Sequence, residues 1–248
     1  DVLENLFLVV QLEKSLFELD SIRSDNGQVQ KEAASIIWDQ TNLSFLKFLP
    51  SLEEGKVEFW AKLKNELPKN ASLRTKVSLG LAKQEFVNKI NTQLALSQKG
   101  YFNQGPFQNS GPLPPRVGET TTYTVSWRVQ NFSNDVRNLK VKANLPSYIS
   151  LTGKFEPGDA RFTFDPLSRE IVWEVGDLPS GASSPDLFFQ ISFNPGQNQR
   201  GQTPELISQA RVVAQDVWTN QDLQSSVPGF NTTLPDDGSI SSGMGIVQ

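Results

Sequence analysis

No cysteine and no histidine occur among the 248 residues, and Met244 is the only methionine. These absences remove whole classes of chemistry. Without Cys or His there is no zinc site of the usual ligand types, no Ser-His-Asp triad, no thiolate nucleophile and no histidine titrating near neutral pH. No disulfide can staple the fold. An excess of one charge is also lacking: 23 Lys+Arg stand against 27 Asp+Glu, a formal net charge of −4. With no Lys/Arg cluster, neither a nucleic acid nor an anionic membrane is expected as a partner, because both need a cationic footprint. No apolar run approaches the roughly 18 residues of a membrane span, and the opening Asp1–Phe7 does not read as a signal peptide. A chain opening on Asp1 is expected to be processed or cut from a longer one, with any membrane anchor outside it. No cofactor and no metal is expected.

What is present is a period of two. In Thr122–Gln130 the residues Tyr123, Val125, Trp127 and Val129 fall on one face, with Thr, Ser, Arg and Gln on the other. That is a strand with one side buried and one in water. The alternation returns at Leu139-Val141-Ala143, Phe162-Phe164, Ile171-Trp173-Val175 and Leu187-Phe189-Ile191-Phe193. Turn chemistry separates these runs, as in Glu156-Pro157-Gly158-Asp159 and Asp165-Pro166-Leu167-Ser168. Many short strands with Gly/Pro/Asp turns predict an all-β fold of antiparallel, immunoglobulin-like sandwich type. Trp38, Trp127 and Trp173 take inward positions and read as core. Within Lys83–Leu96, Phe86, Ile90 and Leu94 recur every four residues as on a helix, but two strand segments fit the rest of the chain better.

The front half aligns on the back half. Asn5–Leu12 matches Asn138–Leu145, Ser35–Asp39 matches Glu170–Glu174, Val57–Leu63 matches Leu187–Phe193, and Leu73–Leu81 runs beside Leu206–Ala214. Self-similarity at this spacing predicts two tandem copies of one unit, each with its own core. The expected domains are 1–105 and 106–235, with 236–248 as a tail or last edge strand. The proline-rich stretch Gln104–Pro115 reads as the linker. Copy two has Gly118–Gln130 ahead of its first matched segment and copy one has no counterpart, so upstream residues or another chain are expected to supply the opening strands, upstream residues being favoured.

The string Gly118-Glu119-Thr120-Thr121-Thr122-Tyr123-Thr124-Val125-Ser126-Trp127-Arg128-Val129-Gln130-Asn131 resembles the opening of a conserved-repeat, immunoglobulin-like domain of bacterial and archaeal surface proteins, a domain of unknown function. Phe162–Pro166 and Ile171–Gly181 match the middle of that repeat, whereas copy one departs from it at Asp39–Leu43. The resemblance implies a spacer or stalk of a long extracellular or cell-surface protein.

No motif for catalysis stands out. Glu53-Glu54 and Asp236-Asp237 are paired acids beside turn residues, and nothing sets them apart as a glycosidase pair. Asp159…Asp165 and Asp25-Asn26-Gly27 are oxygen-rich, but the latter reads as a tight hairpin turn with positive φ. One departure points to contact. Where copy two carries Lys140, Lys142 and Gln190, copy one carries Phe7, Val9 and Trp60. If their strands neighbour each other in one sheet, these three form an outward apolar patch. Its occupant would be a neighbouring domain of the same chain, another envelope protein or subunit (including self-association), or a sugar stacked on Trp60. The function expected is that of a non-enzymatic structural module of a stalk or filament. The alternatives are an adhesin or glycan-binding module, and a pilus-like subunit assembled by donation of the apolar Ile246-Val247 tail.

Overall fold

The structure, a computed structural model, describes residues 3–50 and 53–248. It forms two compact units, Asp1–Ile90 and Asn91–Gln248. The strands of the first are β1 (Leu3–Glu4), β2 (Leu8–Leu12), β3 (Arg23–Ser24), β4 (Gln28–Gln30), β5 (Ser35–Trp38), β6 (Phe48–Leu49), β7 (Phe59–Trp60), β8 (Ser72–Leu79) and β9 (Ala82–Lys89). Those of the second are β10 (Leu94–Tyr101), β11 (Thr121–Asn131), β12 (Val136–Asn144), β13 (Ile149–Glu156), β14 (Arg161–Phe164), β15 (Glu170–Leu178), β16 (Leu187–Phe193), β17 (Glu205–Ile207), β18 (Ala210–Asp216), β19 (Asp222–Val227) and β20 (Phe230–Asn231). The fold is all-β and every ladder between these strands is antiparallel. Residues 82–89 and 94–101 are strands, as the repeat favoured, and not a helix.

In the second unit a four-stranded sheet, β10-β11-β16-β13, packs on a five-stranded one, β14-β15-β12-β18-β19. This is an immunoglobulin-like sandwich. Tyr123, Val125, Trp127 and Val129 of β11 are wholly buried, together with Leu187, Phe189, Ile191 and Phe193 of β16 and Leu139 and Val141 of β12. The period-two pattern fills the space between the sheets from both sides. Trp127 is the centre of this core: its ring meets Phe189 edge-on at 5.1 Å, and its indole N–H donates to Gln98 Oε1 at 2.7 Å.

The first unit has a five-stranded sheet in the same order, β4-β5-β2-β8-β9. Its register is also the same. Leu8 lies between Trp38 and Leu79, as Val141 lies between Trp173 and Val212. Two residues with left-handed backbone recur at aligned places: Asn5 (φ 51°) with Asn138 (φ 56°), and Ala34 (φ 49°) with Arg169 (φ 58°). That conformation costs a non-glycine residue roughly 1–2 kcal/mol. Each of the latter pair accepts the same hydrogen bond, Leu12 N–H to Ala34 O and Leu145 N–H to Arg169 O. Outside this sheet, however, the described residues of the first unit form only the two short pairs β3–β7 and β1–β6.

Four sequence expectations need revision. The boundary falls at 90/91 and not at 105/106, because β10 pairs along its whole length with β11. The stretch Gln104–Pro115 is not a linker between units. It folds onto the second one, where Asn109 Nδ2 donates to Phe102 O and Thr124 Oγ1 and the Thr122 amide donates to Ser110 O. The tail is tied down as well: the Val247 amide donates to Gln202 O, the Gln248 amide donates to Pro115 O, and Val247 is buried. Finally, Asp25–Gly27 is no hairpin turn. It connects β3 and β4, which lie in different sheets, and Gly27 is absent from the positive-φ residues. Glycine is required there by close approach, since a Cβ would sit 2.5 Å from Ile36 Cγ2 and 2.7 Å from Trp38 Cε2.

Candidate interaction surface

Phe7, Val9 and Trp60 are not brought together. Phe7 directly precedes β2 and is 57% exposed, while Val9, two residues on, is half-buried between Ile37 and Ser78. Val9 belongs to the five-stranded sheet, and Phe7 adjoins it, its carbonyl accepting from the Gly80 amide. Trp60 lies on β7 in the other layer, so the expected adjacency of the two strands does not hold. The second unit repeats the reason: β12 and β16, the aligned strands, are in opposite sheets there too. Val9 borders an open groove of about 400 Å³ with Gln11, Lys76 and Glu85. Trp60 is 42% exposed and carries the Arg23 guanidinium 5.3 Å from its ring centroid, a cation–π contact across the β3–β7 ladder.

A larger groove, about 790 Å³, opens beside β7. Its floor is Leu12 and Leu73 from the five-stranded sheet, and its wall is Phe59, Trp60 and Ala61. Val57, Phe59, Ala61 and Leu63, the inward side of this segment, are only half-buried.

The acids are structural wherever they are held. Asp216 Oδ2 accepts from the Thr92 amide at 2.7 Å and from Asn134 Nδ2 at 2.8 Å, and its Oδ1 accepts from the Trp218 and Thr219 amides. Burial works against its charge, but these donors outweigh burial and hold the carboxyl below its ordinary range. Asp237 Oδ2 accepts from the Phe102 and Asn103 amides at 2.8 and 3.0 Å, and Ser239 caps its Oδ1. Burial again opposes ionisation, and the Ser239 hydroxyl with the Asn103 and Phe102 amides again lowers the value. The two carboxylates grip β10 just outside its ends. Asp165 makes a local turn with Leu167 and Ser168. Among the described residues no group of three or more Asp or Glu gathers as a metal would require. Glu53 and Glu54 are exposed, and Asp236 is exposed beside the engaged Asp237. Sequence reasoning missed the role of Asp216 and Asp237. The Asp237-Gly238-Ser239 string, a turn in which the acid caps the following amides, was the one local signal.

No family model and no curated protein matches the chain. Solved structures similar to it are the major pilin SpaD of Corynebacterium diphtheriae, at 10% identity and TM-score 0.38, and BcpA, the major pilin subunit of Bacillus cereus, at 10% and 0.41. The matches cover 93% and 90% of this chain. The chain spans about six tenths of those proteins, 59% and 63% of their length. The serine-rich repeat adhesion glycoprotein Srr1 of Streptococcus agalactiae is similar at 9% identity and TM-score 0.26, over 92% of this chain and 85% of that one. The similarity to the conserved-repeat family of Gly118–Asn131 is therefore not matched by a family model, and the role of the chain has to be read from its own residues.

Proposed function

We propose that the chain is a non-enzymatic structural segment of an extracellular or cell-surface stalk or filament, built from two copies of one immunoglobulin-like unit. The observation that carries this reading is the repeated sheet, with the same strand order, the same register and left-handed residues at the same two places. A duplicated unit whose large side chains fill its cores is suited to setting length and resisting extension, because antiparallel ladders share load among many hydrogen bonds. The Gly118–Asn131 string supports a surface setting through its resemblance to surface repeats. The buried Val247 and the amides of Val247 and Gln248, which are bound to Gln202 O and Pro115 O, weigh against donation of Ile246-Val247 to another subunit.

Antibodies against the chain test the reading on intact cells of its source. Labelling of unpermeabilised cells, abolished by external protease, is the expected result. Labelling that requires permeabilisation overturns it. A glycan array returns no specific binding under this reading; saturable binding lost in Trp60→Ala would replace it with the adhesin alternative.

A further inference from the structure

The two units differ beside the aligned strands β7 and β16, and that difference defines a site. In the second unit β16 has β13 on one edge and β11 on the other. In the first, the aligned strand β7 has β3 on the edge corresponding to β13, with Phe17 bridging Leu63 as Ile149 pairs Phe193, and no neighbour on the other edge among the described residues. The consequences for side chains match position by position. Leu187, Phe189, Ile191 and Phe193 are sealed, while Val57, Phe59, Ala61 and Leu63 are half open. Phe86, paired with Thr75 and so on the same face as that groove-lining residue, is 49% exposed. Trp60 has the same explanation. Its counterpart Gln190 is covered by the segment ahead of β11, to which it donates at Gln108 O and Asn109 Oδ1. An open strand edge with a half-covered apolar face is what β-strand addition requires.

We propose that the groove along Val57–Leu63 is a docking site for an extended strand of the Thr121–Asn131 type, antiparallel to β7, with apolar side chains at every second position facing Phe59 and Ala61. The segment ahead of that strand covers Trp60. The strand belongs to the same polypeptide, N-terminal to Leu3, since β11 leads into β12 through residues 132–135 and β2 occupies the place of β12. A second copy is a poorer donor, because its own Thr121–Asn131 has four inward side chains sealed in a core and its tail is bound. This inference goes beyond the proposed role and holds or fails independently of it.

The test is a chain with residues 104–133 repeated ahead of Asp1, compared with the same fusion whose added copy carries Ser at the positions of Tyr123, Val125 and Trp127. Hydrogen exchange at the amides of Phe59, Ala61 and Leu63 slows by about tenfold or more in the first and not in the second. Trp60 emission shifts to the blue, read against a Trp60→Phe background. The exchange pattern of the second unit reports that either fusion is folded. Should a fusion misfold, a free peptide of residues 119–133 added to the unaltered chain gives the same protection. Absence of protection in both arms overturns the proposal. So does protection of these amides in the unaltered chain that grows with protein concentration, which would make a second copy the occupant.

Discussion

Phe59 on β7 and Phe189 on β16 stand at aligned places in the sequence. Phe189 is enclosed between sheets, against Trp127 and Phe162 at ring distances of 5.1 and 4.9 Å, whereas Phe59 borders an open groove. In the five-stranded sheet of the first unit Ile36 and Trp38 are sealed and Gly27 has no room for a methyl group, but Val77 and Leu79 are half-buried where Ala210 and Val212 are sealed. The looseness runs along β7, which has no second neighbour among the described residues, and reaches Val77 and Leu79 of β8, which teaches that a five-stranded sheet can be complete while the strands outside it are reduced to the short pairs β3–β7 and β1–β6.

The largest effect that can break this comparison is a paired truncation. Phe189→Ala should cost the second unit about 3–5 kcal/mol, the usual loss for a sealed aromatic. Phe59→Ala should cost the first less, about 2 kcal/mol, because the ring is already partly in water and leaves no closed cavity. Residue-resolved hydrogen exchange in urea reads each unit separately. Equal losses would mean that the first unit is closed at β7 and that the contrast is false.

A second, smaller contrast is electrostatic. Asp216 and Asp237 hold β10 in the second unit. Their depressed native carboxyls contribute stability that is fully present above the unfolded value of about 3.9 and is lost as pH falls through the lower native values. The second unit should thus weaken on acidification below about pH 4, in the window those carboxylates define. Asp216→Asn should cost it about 2 kcal/mol at neutral pH by weakening charge-assisted bonds from Thr92 and Asn134, and should flatten the acid response. Thermal unfolding between pH 2.5 and 7 checks both. An acid response of the second unit that is unchanged in the double variant Asp216→Asn, Asp237→Asn would remove the carboxylates as its cause.

The sequence made much of this legible and hid the rest for identifiable reasons. Strand β11 could be read because a period of two fixes which face Tyr123, Val125, Trp127 and Val129 share, and a strand has no other way to bury them. The inward Trp38, Trp127 and Trp173 followed from the same rule. Alternation says nothing, though, about which sheet a strand joins. Two strand segments are legible within Lys83–Leu96, but not the run of the second to Tyr101 nor its pairing with β11, and Phe7 and Trp60 read as lying on neighbouring strands when those strands lie in different sheets. The proline-rich stretch misled because rigidity looks the same in a linker and in a segment pinned by Asn109. The hold of Asp216 and Asp237 on β10 was out of reach: the Thr92 and Phe102 amides that flank it lie 124 and 135 positions away along the chain.

The smallest effect sharpens the outer faces. In the second unit Lys140 faces Glu174 across the β12–β15 ladder and pairs with it at 2.6 Å, and the Glu174 carboxyl is lowered by that lysine. Phe7 takes the place of Lys140 in the first unit, opposite the position of Asp39. Phe7→Lys would restore the second unit's chemistry there. Because Phe7 is mostly in water, the change should alter stability by no more than about 0.5 kcal/mol. If Phe7 and Val9 form a contact surface between chains, the substitution should also reduce self-association, which sedimentation at rising concentration measures directly. A clear loss of stability in the monomer would instead show Phe7 packing within its own unit, and the outer face of the first sheet would then be no surface for a partner.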